Sequence, residues 1–322
     1  MEPVRSITLE EIEAAQSRLA GGIVRTPLIR LNLDDTPAEI YLKLENLQPI
    51  GSFKLRGAGN AILQTPSELI AEGVWTASAG NMAQGVAWWA RYLGVPCTAV
   101  VPDNAPETKL EAIRRLGATA VKVPFEEWWH TMELHDRPGM RGRFIHPFAD
   151  PAVIAGNGTV GLEILEDLPD VDAVLIPFGG GGLSCGVASA IRARKPGTRV
   201  YACEVEFAAP LAASLAAGKA VALDDYRKNF ADGISGPSLN PEMWPLASSL
   251  FDGSLVMPVA EIAAAVKLLM ERNRIVAEGA GATALAAALS GKAGTGKIVC
   301  VISGGNIDAG KLVKILNGEV PA

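Results

Sequence analysis

Only three histidines occur in 322 residues, His130, His135 and His146, and none stands in an HExxH pair or beside a carboxylate-rich run. A zinc hydrolase would lack its ligands, and a Ser-His-Asp hydrolase finds little support. Cysteine is scarce too: Cys97, Cys185, Cys203 and Cys300 are scattered with no CxxC pair, which reads as small buried hydrophobes rather than a disulfide framework. Every apolar segment is interrupted by glycine, proline or charge, so no membrane partner is expected. Basic charge is in deficit, with a formal net charge of -6, and a nucleic-acid partner is not expected either. The opening "MEPVRSITLEEIEAAQSRLA" has no apolar signal core and reads instead as a helix capped by Thr8 and Glu11, which makes the cytoplasm the expected compartment. Tandem repeats and low-complexity tracts are absent.

What is present is a chain that is 49% apolar and 20% charged, long enough for two domains or for one large domain with a smaller one inserted. Short apolar runs alternate with helical patterns. Strands are expected at Ile40–Leu44, Val74–Ser78, Cys97–Pro102, Thr119–Val123, Ala173–Phe178, Val200–Val205 and Lys297–Ile302. Helices are expected at Ala83–Leu93, Glu107–Leu116, Val153–Asp167, Leu183–Arg194, Glu261–Arg274 and Ala280–Leu289. Such alternation implies an α/β fold with mainly parallel sheets flanked by helices, in which ligands bind at the carboxyl ends of the strands. Two segments break the pattern and read as irregular, Pro124–Phe144 and Asp224–Pro245.

Four features at such places carry chemistry. In "SFKLRG", Lys54 stands between Phe53 and Leu55. Its head either snorkels to solvent or is a neutral nucleophilic amine. In "IPFGGGGLS", Gly179, Gly180, Gly181 and Gly182 join a buried strand to a helix. Consecutive backbone N–H groups at a helix start make a phosphate cup, and the alternative is a tight turn; the pattern is neither GxxxxGK[ST] nor GxGxxG. In "TASAGNMAQG", Ser78, Ala79, Gly80 and Asn81 precede a helix, either as a carboxylate site or as an ordinary cap. Ser303, in "VISGGN", ends a buried run. A cofactor with both an aldehyde and a phosphate explains all four, which points to pyridoxal phosphate.

With "SFKLRGA", "SAGNMAQGVA", "HPFADPAVIAGNGTVGLEIL", "PFGGGGL", "FADG", "EGAGA" and "SGGN" in this order, the chain resembles the pyridoxal-phosphate-dependent serine/threonine dehydratases, a family that includes serine racemases. The resemblance implies fold type II: a large cofactor-binding domain from residues 1–73 and 144–322, with a small inserted domain at 74–143. It implies Lys54 as the Schiff-base lysine and catalytic residue, with Phe53 beside it. Gly179–Gly182 and Leu183 correspond to the phosphate loop, Asn81 to the contact of the cofactor's phenolic oxygen, and Ser303 to the partner of the pyridine nitrogen. Ser78, Ala79, Gly80, Asn81 and Met82 correspond to the loop that grips the substrate carboxylate. The implied activity is dehydration of L-threonine or L-serine to a 2-oxo acid and ammonia, in a homodimer. A neutral Ser303 hydroxyl does not enforce protonation of the ring nitrogen, which favours elimination over transamination.

The chain departs from that pattern in places. A serine racemase is an alternative reading, but Ala79 replaces the serine that a racemase uses as its second base, which argues against it. Met82 and Asn157 replace the usual His and Gln. Glu204 and the Ala208 carbonyl match a cation site whose third ligand is here Pro210, so no metal is expected. Trp128 and Trp129 either line a pocket for a β-aryl substrate such as phenylserine or anchor the small domain, and the second reading is preferred. A protein that holds the cofactor without turnover is the remaining alternative.

Overall fold

The computed structural model describes residues 2–321. Helix α1 (Leu9–Leu19) begins at the Thr8–Glu11 capping box, and both reciprocal bonds form. There follow β1 (Leu28–Arg30), β2 (Glu39–Lys43), α2 (Lys54–Leu63) and α3 (Ser67–Ala71). Residues 74–144 run β3 (Val74–Ala77), α4 (Asn81–Leu93), β4 (Cys97–Pro102), α5 (Glu107–Arg115), β5 (Thr119–Val123), α6 (Phe125–Leu134) and β6 (Arg143–Phe144). The remainder runs α7 (Pro151–Asp167), β7 (Ala173–Pro177), α8 (Gly182–Arg194), β8 (Arg199–Val205), α9 (Pro210–Ala217), α10 (Trp244–Leu250), β9 (Gly253–Met257), α11 (Val259–Leu268), α12 (Gly279–Leu289), β10 (Lys297–Val301) and α13 (Ala309–Leu316).

The strands form two sheets, of order β1-β2-β10-β7-β8-β9 and β5-β4-β3-β6. Every pairing is parallel except β1 with β2. In the larger sheet Ala173 faces Arg199 on one side and Ile298 on the other, so the ends of β7, β8 and β10 lie side by side. Parallel strands must bury both faces, which is why β3 and β7 are buried at every residue.

Helices α2, α7 and α8 cross at close range, and glycine makes this possible. A Cβ on Gly186 of α8 would lie 2.3 Å from the Ile154 carbonyl of α7, and one on Gly156 of α7 would lie 2.6 Å from the Arg56 carbonyl of α2. The apolar cluster beneath the smaller sheet draws in Leu19, Leu55, Ala58 and Ile62 from before residue 74, and Val153 from after residue 144. Helix α2 therefore packs against both sheets' helical layers, and Lys54 is its first residue.

Two expectations are corrected. The segment Pro124–Phe144 is not irregular throughout: Phe125–Leu134 forms α6, in which only Thr131 and Met132 are buried. A helix that buries so narrow a stripe leaves almost no period in the sequence. The helix expected over Glu261–Arg274 ends at Leu268, passes through a π-turn at Leu269–Asn273, and stops at Arg274 in the left-handed region.

Candidate active site

The loops that follow β3, β7 and β10 and the start of α2 meet around Lys54. Its amine donates to the Pro147 carbonyl at 2.6 Å and lies 5.2 Å from the centre of the Phe53 ring. Burial pushes the Lys54 pKa down to about 8, and the negative charge of Glu278 only partly opposes this. The Phe53 N–H donates to the Ser303 carbonyl at 3.0 Å, so the residue before the lysine is tied to the end of β10. Ser303 is 3% exposed. Ser52 forms an isolated bridge with Gly304, and its buried hydroxyl has no partner among the described residues.

Two residues beyond the lysine, Arg56 anchors the helix start. Its guanidinium is fully buried and donates to both oxygens of Glu45 (2.8 Å each), to both of Glu163 (2.7 and 2.8 Å) and to the Thr159 hydroxyl (3.0 Å). Lys43 completes the cluster with a 2.6 Å contact to Glu163. Sequence reading passed over this network, because its members are far apart in the chain.

The glycine loop has the form of an anion cup. Among the described residues, none of the six consecutive N–H groups of Gly179 to Ser184 has a hydrogen-bond partner on the chain. Gly181, at φ +91, turns the loop into α8, whose N-terminus faces the same space. A Cβ on Gly180 would lie 2.3 Å from the Phe148 ring, and one on Gly182 would lie 2.8 Å from the Phe148 Cα. Gly180→Ala should therefore weaken phosphate-ester binding about tenfold or more, since an overpacked loop must shift its donors. Titration of the cofactor-free protein with pyridoxal phosphate checks this, and unchanged affinity would contradict it. Leu183 differs from its neighbours: its side chain joins the apolar cluster between α7 and β7, and only its backbone faces the loop.

The Ser78–Met82 loop supplies a second set of donors. The Ser78 hydroxyl accepts the Gly80 N–H at 3.2 Å. The N–H groups of Ala79, Asn81, Met82 and Ala83 have no partner on the chain among the described residues. The Met82 side chain is 1% exposed and packs in the core, so it offers the site only its backbone. Asn81 donates to Glu278 at 2.8 Å and accepts from Asn306 at 2.8 Å. Burial raises the Glu278 pKa to about 7, against the opposing Asn81 bond. In the sequence Glu278 stands only as the first residue of "EGAGA", and a glutamate heading a glycine-rich helix is the signal available. The Pro147 carbonyl left none, because a backbone atom has no side-chain signature.

Other residues singled out in the sequence lie elsewhere. Trp128 packs with Trp75, Val100 and Val123 on a face of the smaller sheet, and Trp129 bonds Glu133 on its own helix. Glu204 is fully buried at the end of β8, and both of its oxygens are engaged. They accept the Leu211 and Ala212 N–H groups at 2.8 Å each and the Ser254 hydroxyl at 2.5 Å. It caps α9, whose first residue is Pro210, from a neighbouring strand. Burial raises its pKa to about 7, although all three bonds oppose the shift. Its contribution to stability is thus full below about pH 4.5 and lost as pH rises through about 7. Glu204→Gln should remove that fall. Urea unfolding of both proteins from pH 4.5 to 8 checks it, and an identical pH dependence would refute it.

The family described as "Pyridoxal-phosphate dependent enzyme" matches residues 19–304. The chain is 42% identical over 317 residues to an L-threonine ammonia-lyase of Thermotoga maritima, covering 97% of this chain and 78% of that one. It superposes on the processed form of threonine deaminase isoform 2 from Solanum lycopersicum with a TM-score of 0.87 at 36% identity, covering 96% of this chain and 86% of that one. With maize serine racemase the TM-score is 0.88 at 34% identity, covering 97% and 98%. The chain belongs to the pyridoxal-phosphate dependent enzymes, and its two mainly parallel sheets are those of fold type II. The site fits the cofactor: six free N–H donors suit a phosphate, the orphaned Ser52 hydroxyl sits two residues before the lysine, and Lys54 offers an amine of lowered pKa.

Proposed function

We propose that this enzyme dehydrates β-hydroxy-α-amino acids, L-threonine and L-serine, to a 2-oxo acid and ammonia. The observation that carries this reading is the convergence on one lowered-pKa lysine of two separate sets of free N–H donors. The likeness to an ammonia-lyase and a deaminase over nearly the whole chain supports it.

Bound pyridoxal phosphate supplies an aldehyde that captures amines and a ring that accepts negative charge from the α-carbon. The chain's own groups do the rest. Gly179–Ser184 hold the phosphate and Ser78–Ala83 the substrate carboxylate. Lys54, an amine of lowered pKa, would take the proton from the α-carbon as a general base. The β-hydroxyl would leave as water, its added proton balanced by the one taken from the α-carbon, and water returns as the C–N bond is hydrolysed, so a 2-oxo acid and ammonia are the net products. Glu278 and Asn306 hold the Asn81 amide, which would contact the cofactor's phenolic oxygen. Ser303 would serve the ring nitrogen as a neutral hydroxyl. Ala79 carries no group that could return a proton to the opposite face, so racemization is not the main activity. Residues 74–143 act as a small domain that carries the Ser78–Met82 loop, and the Lys109–Asp232 ion pair, at 2.8 Å, joins it to the large one. The enzyme is taken as a homodimer of the cytoplasm; no helix among the described residues is long and apolar enough to cross a membrane.

The test is 2-oxo acid release from cofactor-loaded protein with L-serine, L-threonine and L-threo-phenylserine side by side, with D-serine formation followed in parallel. Turnover of threonine or serine is expected to lead. Faster phenylserine turnover would contradict the position of Trp128 and Trp129, and silence on all three would remove the dehydratase reading.

A further inference from the structure

Set aside in the sequence as a histidine without a metal partner, His146 makes bonds that fix its tautomer. It is 2% exposed. Its Nδ1 accepts the Ala149 N–H at 2.8 Å and the Phe148 N–H at 3.2 Å. A nitrogen that accepts two N–H bonds cannot carry a proton, so the proton is on Nε2, which points to the Met132 carbonyl at 3.3 Å. Burial, and then the neighbouring His135 and Lys54, keep the ring's pKa well below the usual histidine range. The same bonds argue against a metal centre here. Ligand atoms of His135, His146 and Glu242 lie within 4.8 Å of one another. Yet neither nitrogen of His146 has a lone pair to offer, and Glu242 already accepts from Asn240 at 2.8 Å and faces His135 at 3.0 Å.

The two bonds to Nδ1 reproduce the turn that an asparagine oxygen makes with the N–H groups two and three residues on. The residues inside that turn serve the site. Pro147 presents its carbonyl to the Lys54 amine at 2.6 Å. Phe148 stands edge-on to the His146 ring, centroids 4.5 Å apart at 88°, and fills the space against Gly180 and Gly182. We propose that neutral, Nε2-protonated His146 is a positioning residue: its Nδ1 sets the Pro147 carbonyl on the Lys54 amine and Phe148 against the phosphate-binding loop, and so couples the two halves of the cofactor site. This rests on the assignment of Lys54 and the glycine loop to the cofactor.

His146→Asn and His146→Leu separate the turn from the packing, because an asparagine oxygen can take the place of Nδ1 and leucine cannot. Both lose the aromatic contacts, so their thermal midpoints should fall together. Pyridoxal phosphate affinity of the cofactor-free full-length proteins should not: His146→Leu is expected to weaken it about tenfold, and His146→Asn to stay within about threefold of wild type, in keeping with the loss of one or two hydrogen bonds. In wild type, ring-nitrogen NMR should show His146 with an unprotonated Nδ1. Equal weakening in both variants, or a proton on Nδ1, overturns the proposal alone. A wild type that binds no pyridoxal phosphate overturns the functional reading and this proposal with it.

Discussion

Lys54→Ala should lower turnover by about 10^3-fold or more, the scale of a lost general base with a lost covalent anchor added to it. The amine is suited to both tasks because of where it sits. With its pKa brought down to about 8, far more of the amine is neutral near pH 7.5 than in an ordinary lysine. The Pro147 carbonyl orients the head without adding a counter-charge that would raise the pKa again. Lys54→Arg is the informative companion, since it keeps the cation and the reach but cannot shed its proton. Both variants should be equally inactive, while the far-ultraviolet spectrum stays that of wild type. A Lys54→Arg protein with a tenth of normal activity would show that charge, not proton transfer, is what the position supplies.

Arg56→Met should cost about 3–5 kcal/mol of folding free energy, because it strands buried carboxylates rather than removing a surface pair. Lys43 remains beside Glu163, so the deficit falls mainly on Glu45, which keeps the Thr26 hydroxyl and Gln48 as hydrogen-bond partners and the nearby charge of Lys43. In wild type, burial pushes the Glu45 pKa up, but Arg56 outweighs it and holds the value below the usual range. That stability is present at neutral pH and lost as pH falls through the folded-state value. Without Arg56 the sign reverses: Glu45 holds a proton in the fold, and the variant is penalised most at neutral pH. The gap between the two proteins in urea unfolding should thus narrow from pH 7 towards pH 5. Arg56→Met combined with Glu45→Gln should recover part of the loss. A gap that does not change with pH would mean that packing, not the stranded carboxylate, sets the cost.

Much of the architecture is legible in the sequence where local chemistry and tertiary context agree. Cys97–Pro102 and Thr119–Val123 were expected as strands at those bounds and form there, since each is a short β-favouring run closed by Gly or Pro. β1 and β6 were not anticipated. They are three and two residues long, too short for any period, and exist because a neighbouring strand pairs with them. At the site, side chains beside a glycine loop or a strand end could be named in advance. Glu45 and Glu163 could not, because their role depends on Arg56 reaching both from a third element. Nor could the function of His146, whose partners are backbone N–H groups of the next turn.

The bare glycine loop also bears on how long the protein lasts. A ligand that binds only the folded chain adds RT ln(1 + [L]/Kd) to its stability, about 2.7 kcal/mol at a hundredfold excess over Kd. Among the described residues, six backbone donors have no partner on the chain, and a bound phosphate ester would engage them. Proteolysis draws on the small unfolded fraction, so a cell short of pyridoxal phosphate would lose the polypeptide itself along with its activity. Abundance would then follow the free cofactor pool without any change in synthesis.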